Sequence, residues 1–344
     1  MTRVLFDARK ARDFGIGRYV VGLLGALARR GEFRLSAIVR RDDAGLLPDG
    51  VAPVVSGAGH YTARELVAVR GAIGRVRPDL FHAPHYVVPF FPPSATVVTI
   101  HDLMHLSRPE HASLPKRAYA AWMVGRAVRL SSRIITVSDA VRGDVARVHP
   151  AAAAKLVVIP NGVGPEFRGA QPASGGAPYL LFLGNDKPHK NLDGLVAAYA
   201  ILRPEHPGLR LLLAGVPRGR REGPGVEALG WVPDAELPSL VAGAEALVLA
   251  SFDEGFGLPV LEAQAAGTPV ACSDLPALRE AAGGEAVFFD PHAPESIVRA
   301  VDGLLGDEAA RARLRDAGLA RAAAFTWDRA AERTSAVYRE VLGR

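Results

Sequence analysis

Residues 251–270 read S-F-D-E-G-F-G-L-P-V-L-E-A-Q-A-A-G-T-P-V, and the organisation of the chain follows from them. The apolar run 246–250 just before predicts a buried strand, the glycines at 255 and 257 break it into a turn, and Pro259 falls where a helix takes its first residues. Glycine lets backbone approach a ligand closely. The amides opening the next helix carry a partial positive charge, so the turn reads as an anion seat. Glu254 lies in the turn and Glu262 about two helical turns later. A carboxylate pair beside an anion seat suits polar hydroxyls; the plainer alternative is two solvated charges on an ordinary strand-to-helix turn.

A chain of 344 residues exceeds one ordinary core and predicts two domains. The formal charge of +5 favours anionic partners without distinguishing nucleic acid, phosphorylated metabolites and membrane surfaces. Cys272 is the sole cysteine, which excludes an internal disulfide framework and a cysteine-based zinc site and fits a reducing cytosol. The opening M-T-R-V-L-F-D-A-R-K reads as a short strand and not as a signal peptide, and no apolar run is long enough to span a bilayer. A cytoplasmic protein is expected, with the inner face of the membrane as a second location.

Strands are predicted at 4–7, 35–39, 80–83, 96–101, 133–137 and 156–159, with helices at 20–28, 62–76, 115–130 and 139–148 between them. Such alternation gives a parallel sheet covered on both faces. The loop G-I-G-R-Y-V at 15–20 has Val20 where the dinucleotide fingerprint has its third glycine, so it reads as shaping a cleft and not as a nicotinamide site. In doubly wound sheets ligands bind beyond the carboxyl ends of strands, where F-H-A-P-H-Y, T-I-H-D-L and T-V-S-D place His82, His85, His101, Asp102 and Ser138. Ser138 or Asp139 also reads as a helix N-cap, and the two histidines flanking Pro84 as partners of loop carbonyls. His101 ends an apolar strand, which favours a functional role. No pattern of metal ligands accompanies it, and no metal is expected. The helix at 115–130 mixes Lys116, Arg117, Arg126 and Arg129 with Tyr119, Trp122 and Met123; it suits either contact with anionic lipid or half-burial with solvated arginines.

The small-residue stretch 169–178 reads as a linker. Beyond it strands at 179–183, 209–214, 226–229, 246–250, 270–272 and 286–289 alternate with helices at 192–203, 235–242, 258–266 and 276–281, repeating the α/β plan. Two further helices, at 294–305 and 308–324, precede a terminal one capped by Thr326. Domains are placed at 1–168 and 169–325, with 326–344 as the terminal helix. Two such halves predict a cleft between them for a polar substrate. The segment L-G-N-D-K-P-H-K-N-L at 183–192 sets Lys187 and Lys190 near a helix N-terminus, where they either hold phosphate or are plain loop lysines.

Taken together, E-G-F-G-L-P-V-L-E, with seven residues between Glu254 and Glu262, L-G-x-x-x-P-x-K-N, P-N-G-V at 160–163 and H-D-L at 101–103 resemble the retaining glycosyltransferases of family 4, which have the GT-B fold. The resemblance covers nearly the whole chain. It implies an α/β protein of two Rossmann-like doubly wound domains, the N-terminal one for the acceptor and the C-terminal one for a nucleotide diphosphate sugar. It further implies that Glu262 holds ribose hydroxyls, that Glu254 meets hydroxyls of the transferred sugar, and that Gly255, Phe256, Gly257 and Leu258 present helix-opening amides to the donor. Lys190 would neutralise the departing diphosphate in place of a metal ion; Asn185 and Lys187 are donor-side candidates in the same loop, where either Lys187 supplies the charge of the family's arginine or the phosphate is held differently. His101 would offer a hydrogen bond at the reacting centre, and the loop of Gly15, Gly17 and Arg18 would close over the diphosphate. Arg18, His82, His85 and Asp102 are the acceptor-side candidates, and the terminal helix would cross back to the N-terminal domain.

Two positions depart from the family pattern: Asn185 stands where many members carry arginine, and Gly164 where an acidic residue is common. The resemblance implies retention by same-face attack, with no cofactor beyond the nucleotide sugar, a glycan, lipid-linked or small-molecule acceptor, and no nucleic-acid partner. GDP-mannose is the first expectation for the donor and a UDP-sugar the next, in the setting of cell-surface polysaccharide synthesis. The alternatives are a non-catalytic nucleotide-sugar binder and another GT-B enzyme such as an epimerase.

Overall fold

A computed structural model of the chain describes residues 1–57, 63–93, 95–107, 114–173 and 176–344. The chain divides into two compact units, the first comprising Met1–Gly162 and Trp327–Arg344, the second Val163–Thr326. In the first, β1 (Arg3–Asp7), α1 (Phe14–Arg30), β2 (Arg34–Val39), β3 (Val51–Val55), α2 (Ala63–Val76), β4 (Leu80–Ala83), β5 (Thr96–Ile100), α3 (Met104–Ser107), α4 (Leu114–Leu130), β6 (Arg133–Thr136), α5 (Asp139–Val148) and β7 (Leu156–Val158) follow one another. Their sheet has the order β3-β2-β1-β4-β5-β6-β7, parallel throughout. Strands β4 and β5 are buried along their whole length, as continuous apolar runs in a doubly covered sheet should be.

Strand β3 escapes the sequence reading because V-A-P-V-V carries a proline, which removes a ladder donor. It is an edge strand, where that loss is tolerated. The predicted loop at Gly15–Arg18 is instead the first turn of α1: the Gly17 amide donates to the Asp13 carbonyl at 2.5 Å. Gly17 is required by packing, since a Cβ there would lie 2.9 Å from the Ala11 carbonyl carbon. Residue 62, where the second helix was expected to start, and residues 174–175 of the predicted linker lie outside the described residues.

The second unit runs β8 (Tyr179–Leu183), α6 (Leu192–Leu202), β9 (Arg210–Ala214), β10 (Val226–Gly230), α7 (Leu237–Ala242), β11 (Ala246–Leu249), α8 (Leu258–Ala265), β12 (Val270–Ser273), α9 (Pro276–Ala282), β13 (Val287–Phe289), α10 (Pro294–Gly306) and α11 (Glu308–Ala323). Its parallel sheet is ordered β10-β9-β8-β11-β12-β13. In each unit the strand order reverses beside the first strand, between β1 and β4 and between β8 and β11. In doubly wound sheets such switch points, at the carboxyl ends of the strands, are where ligands bind.

The unit boundary falls at 162/163, ahead of the expected 168/169. Val163 bridges to Thr326 and its amide donates to the Phe325 carbonyl at 3.1 Å, while the 3-10 turn Pro165–Phe167 packs on α7 and α8. Gly164, the departure noted above, leaves room for a neighbour: the Glu166 carboxylate fills the space a side chain would take. The last helix, α12 (Trp327–Val341), belongs to the first unit and packs on α1. Gly22 permits this, since a Cβ there would come within 2.6 Å of the Trp327 ring. Arg29 to Asp328 (2.7 Å) and Arg339 to Glu32 (2.6 Å) pin the two helices at their ends.

Candidate active site

At the switch point of the second unit, the turn after β11 is locked onto the turn after β8. The Phe252 amide donates to the His189 carbonyl at 2.8 Å. Lys190 Nζ lies 2.6 Å from Glu254 Oε1, and Ser251 Oγ donates to the same oxygen at 2.7 Å. Both side chains of the ion pair are largely buried, Lys190 at 13% and Glu254 at 10% exposure. Burial alone would raise the Glu254 carboxyl, but the Lys190 ammonium and these hydrogen bonds outweigh it and hold the group below the usual carboxylate value. Glu254 is therefore an anion that accepts hydrogen bonds and donates none. Among the described residues no hydrogen bond reaches its Oε2, and Glu254 is the sole side-chain partner of Lys190.

Helix α8 opens on Gly257, at φ 100°, with Pro259 in its first turn. A Cβ on Gly257 would stand 2.7 Å from Leu278 Cδ2, so conformation and packing both require glycine there. Phe256 and Leu258 are buried beside it, and Glu262 is buried at 2% exposure. A carboxylate this deep is neither of the solvated charges of the plainer reading. The first amides of a helix lack intrahelical acceptors, and α8 opens at Gly257 and Leu258, directly after the Gly255–Phe256 turn.

Around Lys190 the structure separates the residues grouped by sequence. Asn191 takes a left-handed conformation, caps α6 by accepting from the Gly194 amide at 3.2 Å, and donates to the Pro291 carbonyl at 2.8 Å. Lys187 is exposed. Asn185 Oδ1 is buried and has no hydrogen-bond partner among the described residues. Asp186 was not singled out in the sequence, yet it is buried and paired with Arg220 at 2.8 Å and Arg221 at 3.1 Å, which ties the β9–β10 loop to the end of β8. Arg221 sits at φ 63°, an unusual conformation for its type. Nothing local in R-G-R-R-E marks it, because the partner is about 35 residues away.

The first unit brings His101, Pro84, His85 and the end of β1 to its own switch point. His101 Nε2 donates to the Pro84 carbonyl at 3.1 Å, which leaves Nδ1 as the acceptor face. Burial, and to a lesser extent the charge of Lys10, lower its pKa to about 4, so His101 is neutral at physiological pH. His85 lies against the Tyr86 ring and lines a small hollow with Asp7, Arg9, Lys10, Ala83, Pro84 and Val87. Arg9 is almost fully buried on Asp7, at 2.6 Å, a pair sequence reading missed because D-A-R-K resembles any strand end.

His82 does not stand on the acceptor side, where its strand-end position suggested. Its ring is fully buried between Tyr338 and Thr99, so it faces no acceptor. Asp102 accepts from the Met104 amide at 3.2 Å in the turn leading into α3, and Ser138 caps α5 through the Val141 amide at 3.1 Å. Gly15 and Arg18 lie on the first turn of α1, Gly15 exposed and Arg18 half-buried. Arg126, on the helix read as suiting either lipid contact or half-burial with solvated arginines, is itself buried: it donates to the Pro89 carbonyl at 3.1 Å and lies over the rings of Phe90 and Trp122. Among the described residues no helix is long and apolar enough to cross a membrane, and no three His, Cys, Asp or Glu residues converge as metal ligands.

Two family models match in tandem: Glycosyltransferase Family 4 over residues 15–167 and Glycosyl transferases group 1 over residues 164–321. The O-antigen chain mannosyltransferase B of Escherichia coli is 31% identical over 284 residues, covering 76% of this chain and 74% of that one. The chain is a family 4 glycosyltransferase. Its GT-B fold is shared by sucrose-phosphate synthase from Thermosynechococcus elongatus (TM-score 0.82, 20% identity, all of both chains). HepE from Anabaena, solved with UDP-glucose, matches at TM-score 0.77 and 16% identity over 99% of this chain and all of that one.

Proposed function

We propose that this glycosyltransferase moves a hexose from a nucleotide diphosphate sugar to a glycan, lipid-linked or small-molecule acceptor, with retention and without a metal ion. The observation carrying the reading is the Lys190–Glu254 pair at the mouth of β8 and β11. Lys190 has two N–H donors beyond the one given to Glu254, enough to meet the diphosphate oxygens as charge develops on them. Glu254, kept ionised, accepts from sugar hydroxyls through Oε2, and Glu262 takes the ribose hydroxyls. The amides opening α8, at Gly257 and Leu258, and the turn residues Gly255 and Phe256 just before them complement the anionic donor. Asn185 supplies an uncharged amide where many relatives have arginine, and the exposed Lys187 stands further out.

The reaction breaks the bond between the anomeric carbon and the diphosphate oxygen. The acceptor oxygen then bonds that carbon on the same face, and the departing phosphate oxygen takes the acceptor's proton. Charge grows mainly on the leaving group, so the cation and amides around it lower the barrier. His101, neutral and with Nδ1 as its acceptor face, holds a hydroxyl of the transferred sugar. Arg18, His85 and Asp102 remain the acceptor-side residues, now without His82. The hollow beside His85, lined by Arg9 and Lys10, adds to them.

GDP-mannose is the first donor to test, in line with the mannosyltransferase relative, and UDP-glucose the second. Thermal shifts with GDP, UDP, ADP and dTDP identify the base, since a ligand of the native state raises its stability. Transfer from the matching nucleotide sugar should then be abolished or nearly so in Glu254→Ala. If no nucleotide shifts the melting temperature and no nucleotide sugar is turned over, the transferase reading fails in favour of a non-catalytic protein.

A further inference from the structure

The core of the first unit contains a chain of polar side chains that reaches solvent nowhere. Tyr338 Oη of α12 is 2.6 Å from His82 Nδ1, His82 Nε2 is 2.8 Å from Thr99 Oγ1, and Thr99 Oγ1 is 2.7 Å from Tyr19 Oη. All four residues are at most 2% exposed. They join α12, β4, β5 and α1, whose buried packing around them is an apolar cluster. The arrangement meets His101 at its Tyr19 end and, through the backbone, beside His82. The Tyr19 ring stands edge-on to the imidazole, with centroids 4.7 Å apart at 81°, and the Pro84 carbonyl that fixes His101 Nε2 follows His82 by two residues.

We propose that Tyr338, His82, Thr99 and Tyr19 are positioning residues for His101, so that the terminal helix sets the orientation of this imidazole through three buried side chains. Apolar contacts alone let rings slide by fractions of an ångström at little cost, whereas a saturated buried hydrogen-bond chain admits one arrangement. Burial, with a smaller contribution from His101, lowers the His82 pKa to about 3, so the chain is neutral and each ring nitrogen serves one hydroxyl. Without the Tyr19 hydroxyl bond nothing polar fixes the ring against which His101 rests. The role assigned here rests on the reading that His101 holds the transferred sugar.

The test uses full-length protein carrying Tyr338→Phe, with Thr99→Val and Thr99→Ser as a second pair that interrupts and then restores the middle link. Steady-state transfer is measured with the donor identified by the nucleotide screen. Tyr338→Phe and Thr99→Val should lower kcat about tenfold with donor KM within about twofold, and Thr99→Ser should retain most of the activity. In a His101→Ala background Tyr338→Phe should add less than about a twofold further loss, because coupled residues are not additive. Independently of turnover, the imidazole resonances of His101 should move in Tyr338→Phe. Unchanged His101 resonances, or equal losses in both backgrounds, would overturn the proposal. Absence of turnover in the wild type would instead remove the transferase reading, and the resonance comparison would still decide the positioning.

Discussion

Lys190 Nζ and Glu254 Oε1 lie 2.6 Å apart across two turns separated by 64 residues, and both charges are largely withdrawn from water. Removing one partner leaves the other uncompensated. Lys190→Ala should therefore cost roughly 3 kcal/mol in urea unfolding and lower kcat by about two to three orders of magnitude. Lys190→Arg keeps the charge but not the shape of the ammonium and should recover stability more fully than kcat. Equal kcat in Lys190→Ala and wild type would refute the assigned role.

Asn185 puts a neutral amide beside the proposed phosphate site, where the family pattern expected an arginine. Asn185→Arg should tighten nucleoside diphosphate binding by roughly fivefold to tenfold, about 1–1.4 kcal/mol for one added charge-assisted hydrogen bond. Isothermal titration with the nucleotide found in the screen reads this directly, and product inhibition should strengthen in parallel. Unaltered or weaker affinity would place the phosphates away from residue 185.

Gly257 is constrained twice, by φ of 100° and by Leu278 Cδ2 at 2.7 Å from a would-be Cβ. Gly257→Ala should destabilise the second unit by about 2–4 kcal/mol. Gly255→Ala is the comparison that separates loss of fold from loss of ligand: residue 255 is outside the helix and is not among the positive-φ glycines. Melting curves of the two variants should differ by several degrees, and curves that coincide would contradict the packing argument.

The buried His82 sets a pH dependence of stability. Its pKa is lowered to about 3 in the folded chain, whereas an unfolded histidine titrates near 6.5. Between these values the unfolded chain binds a proton that the folded chain does not, so stability falls as pH falls from about 6.5 towards 3. The contribution approaches about 1.4 kcal/mol per pH unit in the middle of that window. His101, lowered to about 4, acts in the same direction. Urea unfolding at pH 7, 6 and 5 measures the slope, and a His82 ring that titrates near 6.5 by NMR would contradict it.

The sequence by itself determined the doubly wound character of the chain, the placement of most strands, and the motif residues from Glu254 to Glu262. These are local signals: parallel buried strands write continuous apolar runs, and a turn that brings backbone close to a ligand writes its glycines. Tertiary structure alone decided which polar residues are partners. Asp186 with Arg220 and Arg221, Asp7 buried with Arg9, and His82 between Tyr338 and Thr99 join residues whose chain neighbours give no sign of them. His82 and His101 look alike as histidines at strand ends. One points into the core and the other lies at the carboxyl edge, since side chains alternate across a strand and the sheet's neighbours decide which face is closed. The unit boundary was likewise set by pairing, because Val163 bonds to the strand-like residues at 325–326 before the small-residue stretch begins.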